Sequence, residues 1–186
     1  HDLYVKEDGK IDQKLAKFSR KSSGVPGTVA GMALAVEKYG TMSLKEVLEP
    51  AYKLAKDGFE VYTQLEVSLA RSKERLSADP AAKAVFYKKD GSNYKTGEIL
   101  KQKDLAKSLR AIMRKGTDAF YKGEIAEKIA ADMAANDGLI TMEDMAAYEV
   151  YEREPIIGTY KGYTIATMPP PSSGGVHMVQ MMNMLE

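Results

Sequence analysis

From Pro26 onward the apolar residues recur at three- and four-residue intervals, the spacing of one face of an α-helix. Val29, Met32, Ala33, Val36 and Tyr39 predict a helix that opens on a proline and stops at Gly40. Ser43 caps a second, with Leu44, Val47, Leu48, Ala51, Tyr52, Leu54 and Ala55 on one face and Asp57-Gly58 as its end. Pro50 removes a donor inside that pattern, so a single bent helix is expected. A more polar helix follows over Tyr62 to Ala78, and Asp79-Pro80 opens a short one through Ala81, Ala82, Ala84 and Val85. After an Asp90-Gly91-Ser92 turn, Tyr94 to Leu100 reads as extended. Lys103 to Arg114 presents Leu105, Leu109, Ile112 and Met113 and ends at Gly116, and Thr117-Asp118 caps the Phe120-Tyr121 turn. Glu124 to Ala135 places Ile125, Ile129 and Met133 one turn apart and closes at Asn136-Asp137-Gly138. Thr141 to Asp144 caps a short helix through Tyr148.

The period then changes. Ile156 to Ala166 is rich in β-branched and aromatic residues around Gly162, as two antiparallel strands require. Met168-Pro169-Pro170-Pro171-Ser172-Ser173-Gly174-Gly175 follows as a rigid turn into a helix carrying Val176, Val179, Gln180, Met182, Asn183 and Leu185. The fold class is therefore mainly α. About six helices form a helical subdomain over residues 24–150, and residues 151–186 add a β-hairpin and a helix. Residues 1–23 are expected as a polar segment, the part least well ordered, in which the Asp8-Gly9 turn within Tyr4 to Ile11 suggests a short hairpin or a loose arm. No stop signal follows the last helix, so the chain reads as a piece of a larger protein.

Composition narrows the class. With 44% hydrophobic and 28% charged residues in 186, disordered and fibrous chains are excluded. A net charge of +1, with acids and bases mixed evenly along the chain, gives no electrostatic pull toward nucleic acid or an anionic membrane. No apolar run approaches the ~18 residues of a membrane span, and no signal peptide opens the chain. The absence of cysteine rules out disulfides, thiol catalysis and thiolate metal sites, and no cofactor or metal motif is present.

Candidate chemistry gathers at the proline-serine-glycine turn. Of the two histidines, His1 is terminal, leaving His177 as the base for a Ser173 nucleophile. No orienting acid lies nearby in sequence, so the competing reading is favoured: Ser172 and Ser173 cap the helix and His177 is a surface residue. Gly174-Gly175 at a helix start also resembles an anion cradle, as does Gly24 to Gly31, although no nucleotide motif is present. For Gly27 and Gly31 the preferred reading is close helix packing. Met178, Met181, Met182 and Met184 read as core-fillers facing missing parts of the protein. The acidic pairs Glu124/Glu127 and Glu143/Asp144 lack a histidine at metal spacing and read as helix N-terminal charges.

Several blocks add up to more than their separate signals. Ser23 to Gly31, Lys38-Tyr39-Gly40, Glu49 to Phe59, Phe120 to Ala126, Gly138 to Thr141 with Asp144, and Met168 to Gly175 stand in an order and spacing that resembles the large subunit of bacterial γ-glutamyltranspeptidases. The resemblance covers nearly the whole chain beyond residue 20. It implies an N-terminal-nucleophile hydrolase, an αββα sandwich that cleaves itself into two subunits and frees a threonine whose α-amine serves as its own base. Such an enzyme attacks γ-glutamyl amides such as glutathione and passes the glutamyl group to water or to an amine. By the same resemblance the carboxylate-binding arginine lies upstream, the threonine and a serine pair and glycine pair lie downstream, and neither group falls within residues 1–186. No catalytic role therefore passes to Ser172, Ser173, Gly174 or Gly175, and this chain alone is expected to be inactive. Implied partners are the small subunit and small γ-glutamyl substrates, with no nucleic acid and no membrane. The implied location is periplasmic or at the cell surface. A related acylase on another amide and a non-catalytic helical binding module are the alternatives.

Overall fold

The apolar stripe from Leu44 folds as α3 (Leu44–Asp57), the longest helix among the described residues. Ser43 caps it: the Glu46 N–H donates to Ser43 Oγ at 3.3 Å and the Ser43 N–H donates to Glu46 Oε2 at 2.8 Å. Pro50 lies inside the helix without breaking it. The computed structural model describes residues 2–186, which divide into two compact units, 2–148 and Glu149–Glu186.

In the first unit α3 packs on α7 (Lys103–Lys115), with small Ala55 and Ala106 buried and Ile112 buried beside them. The Gln102 N–H donates to the Ala55 carbonyl at 2.9 Å and fixes where α7 starts. The extended run at Tyr94 shrinks to a two-residue strand, β2 (Ile99–Leu100), paired antiparallel with β1 (Phe59–Glu60). β1 falls at the Gly58 stop, where the helical pattern carries no strand signal. Residues 94–98 stay irregular because the Lys95 and Thr96 N–H groups go to side chains, to Glu98 at 2.6 Å and to Glu66 at 2.8 Å, while the Gly97 N–H and the Glu98 carbonyl bond to the Val61 backbone at 2.9 Å.

The helix expected over Tyr62 to Ala78 divides at Ser72, whose ψ of 3° leaves the α basin, giving α4 (Thr63–Arg71) and α5 (Lys73–Ser77). α6 (Pro80–Phe86) begins at Asp79, whose Oδ1 accepts from the Ala82 N–H at 2.8 Å. Buried Tyr87 donates to the Leu69 carbonyl at 2.7 Å and ties α6 to α4. The opening polar stretch holds a Val5–Ile11 bridge around the Asp8-Gly9 turn and a helix the pattern does not announce, α1 (Gln13–Phe18), capped by Asp12. After α1, Arg20 pairs with Asp132 at 3.1 Å and Asp79 at 3.4 Å, and Lys21 with Asp137.

α2 (Thr28–Tyr39), α8 (Asp118–Tyr121), α9 (Glu124–Ala135) and α10 (Met142–Ala146) surround a second core. Its buried centre is Tyr121, Ala126, Ile140 and Met145, lined by Val25, Val29, Ile129 and Tyr148 among others.

In the second unit β3 (Ile156–Tyr160) pairs antiparallel with β4 (Tyr163–Thr167), from Ile156 opposite Thr167 to Tyr160 opposite Tyr163. The loop Lys161-Gly162 has φ values of 46° and 81°, as a two-residue primed turn requires. α11 (Gly174–Leu185) packs on one face: a Cβ on Gly158 would stand 2.9 Å from Val179 Cγ1, so glycine admits the helix.

Candidate functional site

The turn between β4 and α11 is built around Gly175, which is buried. A Cβ there would strike the Met168 carbonyl oxygen and lie 2.9 Å from both Cγ2 and Oγ1 of Thr167. The first turn of α11 therefore rides directly on the end of β4, and only glycine admits that approach. Ser172, Ser173 and His177 lie beside it, all exposed.

They do not assemble a nucleophile. Among the described residues no hydrogen bond joins either serine hydroxyl to the His177 ring, and none orients that ring. The expected capping also needs correction. Ser173 occupies the cap position of α11 with φ −79° and ψ −16° and makes no side-chain cap bond, because the preferred cap geometry is extended. Ser172 Oγ instead accepts from the Gly174 N–H at 3.4 Å, a local turn bond. His1 lies outside the described residues.

The Gly24 to Gly31 stretch is closed from within. The Tyr121 hydroxyl accepts from the Ala30 N–H at 3.2 Å, one of the open donors in the first turn of α2, and donates to the Pro26 carbonyl at 2.6 Å. A donor that an anion would need is therefore occupied. Burial pushes the Tyr121 phenol above its ordinary value, with the Ala30 N–H partly offsetting it. The Tyr121 ring stacks on Tyr148 at 5.4 Å and 6° and meets Phe120 edge-on at 4.9 Å. Gly27 is a close-approach glycine, since a Cβ would collide with the Tyr148 hydroxyl and lie 2.8 Å from its Cζ. Gly31 corrects the sequence reading: a Cβ there meets nothing within 4 Å, so it serves no close helix contact.

The acidic pairs stand at helix starts. Asp144 accepts from Thr141 N–H and Oγ1, both at 2.9 Å, and is held below the usual carboxylate range chiefly by that N–H. Glu124 pairs with Lys128 at 2.6 Å and is lowered by that bond. Among the described residues no group of three or more His, Asp or Glu could hold a metal. A groove of ≈ 780 Å³ between α7, α8 and α9 has Ala111, Ile125, Ile129 and Met133 in its lining, with the paired Glu124 and Lys128 beside them. The three acids of its lining, Asp118, Glu124 and Asp132, are paired with Lys122, Lys128 and Arg20, so the groove has no free base to offer.

These side chains do structural work, and the blocks that suggested a family are the ones that meet. Pro26 and Gly27, Tyr121 and Ala126, and Ile140 converge on one core. A family model described as γ-glutamyltranspeptidase matches residues 1–186. The chain belongs to the γ-glutamyltranspeptidase family.

Among relatives of the γ-glutamyltranspeptidase family, the glutathione hydrolase proenzyme of Escherichia coli (strain K12) is 50% identical over 186 residues, covering 100% of this chain and 32% of the relative. The acylase ACY 1 proenzyme of Pseudomonas sp. (strain SE83) is 42% identical over 166 residues, 89% of this chain and 30% of the relative. The crystal structure of Helicobacter pylori γ-glutamyltranspeptidase superposes with a TM-score of 0.95 at 41% identity, over 98% of this chain and 52% of that chain. The chain thus spans about a third of the length of the curated relatives it matches.

The role of Tyr121 escaped the sequence. Its block is visible, but a phenol that caps a helix 91 residues earlier has no local pattern to betray it.

Proposed function

We propose that this chain is the large-subunit portion of a γ-glutamyltransferase/glutathione hydrolase made as a proenzyme. The observation that carries the reading is the 50% identity to a glutathione hydrolase proenzyme across all 186 residues. In the complete protein, self-cleavage frees a threonine at a new N-terminus. Its α-amine takes the proton of its own hydroxyl, the oxygen attacks the γ-glutamyl carbonyl, and the amide nitrogen leaves as an amine carrying a proton. Water or an amino-acid or peptide amine then releases the glutamyl group from the acyl-enzyme.

In this reading the helical unit shapes the large subunit, and the β3–β4 hairpin with α11 on one face supplies one strand pair and one helix of an αββα sandwich. The partner is the small subunit, the substrates are small γ-glutamyl compounds, and the protein acts in the periplasm or at the cell surface. The threonine lies outside residues 1–186, so this chain alone is inactive. The test is γ-glutamyl-p-nitroanilide cleavage. The complete protein should turn it over and residues 1–186 should not, and turnover by this chain alone would refute the assignment of the nucleophile.

A second reading rests on the acylase relative at 42% identity. A complete protein that hydrolyses non-glutamyl amides faster than γ-glutamyl ones would place it there.

A further inference from the structure

The even mixing of charge along the chain fails on α7. Its 13 residues hold Lys103, Lys107, Arg110, Arg114 and Lys115 against Asp104 alone, within a chain of net charge +1. Lys103, Lys107, Arg110 and Arg114 follow one another by four, three and four positions, so they share one face and span about 16 Å of helix. That face lies opposite buried Ile112, and all four cations are exposed. Lys107 is paired with Asp104 at 2.8 Å, whereas Lys103, Arg110 and Arg114 form no ion pair among the described residues. Lys56 of α3 adds a fifth cation: with Tyr52, Lys103, Lys107 and Arg110 it lines a groove of ≈ 370 Å³ in which Asp57 is the one carboxylate.

The chemistry of this face selects its partner. The cations that line the groove, Lys56, Lys103, Lys107 and Arg110, are all exposed, so it offers no desolvated donor to grip a single small anion. Its aromatic ring is already covered, with the Lys56 ammonium 5.9 Å from the Tyr52 centroid, which leaves no open platform for stacking bases. What remains is a row of solvated cations on one face, matched by a surface that carries many anionic groups at once. Among the described residues no helix is long and apolar enough to cross a membrane, so such a contact is peripheral. We propose that this face of α7 docks on an anionic lipid bilayer, its lysines and arginines against phosphate head groups while Ile112 stays in the core.

The experiment is co-sedimentation of the complete protein with vesicles of phosphatidylglycerol and phosphatidylcholine, and with phosphatidylcholine alone. Each cation near an anionic surface raises partitioning about fivefold, so changing Lys103, Lys107, Arg110 and Arg114 to Gln should weaken it roughly a hundredfold or more. High salt should abolish it. A control changes the exposed Lys14, Lys17, Lys83 and Lys89 to Gln, an equal loss of charge away from the stripe, and should cost far less. Circular dichroism establishes that both variants are folded. No preference for anionic vesicles overturns the proposal, as does an equal loss in the control. It is also overturned if a mixed-sequence single-stranded oligonucleotide binds more tightly than vesicles at matched phosphate.

Discussion

The Tyr121 phenol donates to the Pro26 carbonyl over 2.6 Å and 95 residues of sequence. The same oxygen accepts from the Ala30 N–H, so one side chain satisfies an acceptor just before α2 and a donor in its first turn. Helix starts are normally served by a local Ser, Thr, Asp or Asn. At α2 the cap position is Gly27, which has no side chain to offer, because Tyr148 fills the space a Cβ would need. The aromatic pair excludes a local cap and replaces it.

Tyr121→Phe should therefore destabilise by about 1–3 kcal/mol, the cost of leaving the Ala30 N–H and Pro26 carbonyl without their partner. Tyr148→Phe keeps the stacked ring and should cost less. Urea unfolding compares them, and equal midpoints for the two variants would refute the capping role of Tyr121.

Gly27 and Gly31 should respond with opposite signs. Gly27→Ala drives a methyl into Tyr148 and should cost about 1–3 kcal/mol or more. Gly31→Ala enters open space inside α2 and should stabilise by about 0.5–1 kcal/mol. Thermal midpoints decide, and a loss at Gly31 would point to a contact the structure lacks.

Such pairs mark how far the sequence could be read. Periodic apolar faces and local caps at Ser43, Asp79 and Thr141 are short-range signals, and the helices they announce are present. β1 escaped because two paired residues leave no period to detect, and the extended run expected over Tyr94 to Leu100 keeps only β2, whose register with Phe59 and Glu60 depends on residues far away in sequence. The break at Ser72 is a backbone choice that the surrounding helical pattern conceals. At the turn before α11 the residues were visible but their work was not: two serines invite a nucleophile or a cap, while the necessity lies with Gly175 against Met168 and Thr167.

That turn makes a prediction about catalysis. If a threonine amine is the base in the complete enzyme, His177→Ala should leave γ-glutamyl-p-nitroanilide turnover within about tenfold, whereas losing a triad base costs on the order of 10⁴-fold or more. Gly175→Ala should instead reduce the yield of folded protein, since its methyl meets the β4 backbone. Loss of turnover in a well-folded His177→Ala protein would restore the histidine as a candidate base.

Acid should expose a second long-range tie, at Glu66. Its carboxylate accepts from the Thr96 N–H and Oγ1 at 2.8 Å and pairs with Lys95 at 3.1 Å, fastening α4 to the segment that leads into β2. The Thr96 N–H contributes most to lowering its pKa from the ordinary 4.5 to about 2. A carboxyl depressed in the folded state binds protons more readily when unfolded. Its stabilisation is therefore complete above the unfolded value and is lost as pH falls from about 4.5 toward 2. Glu66→Gln retains one acceptor oxygen but cannot titrate, so it removes this pH dependence while keeping part of the contact. The difference in thermal midpoint between the native chain and Glu66→Gln should be constant near neutral pH and shrink through that acid window. A difference that stays constant down to pH 2 would show that Glu66 gains nothing from Thr96 and Lys95 in its charged form.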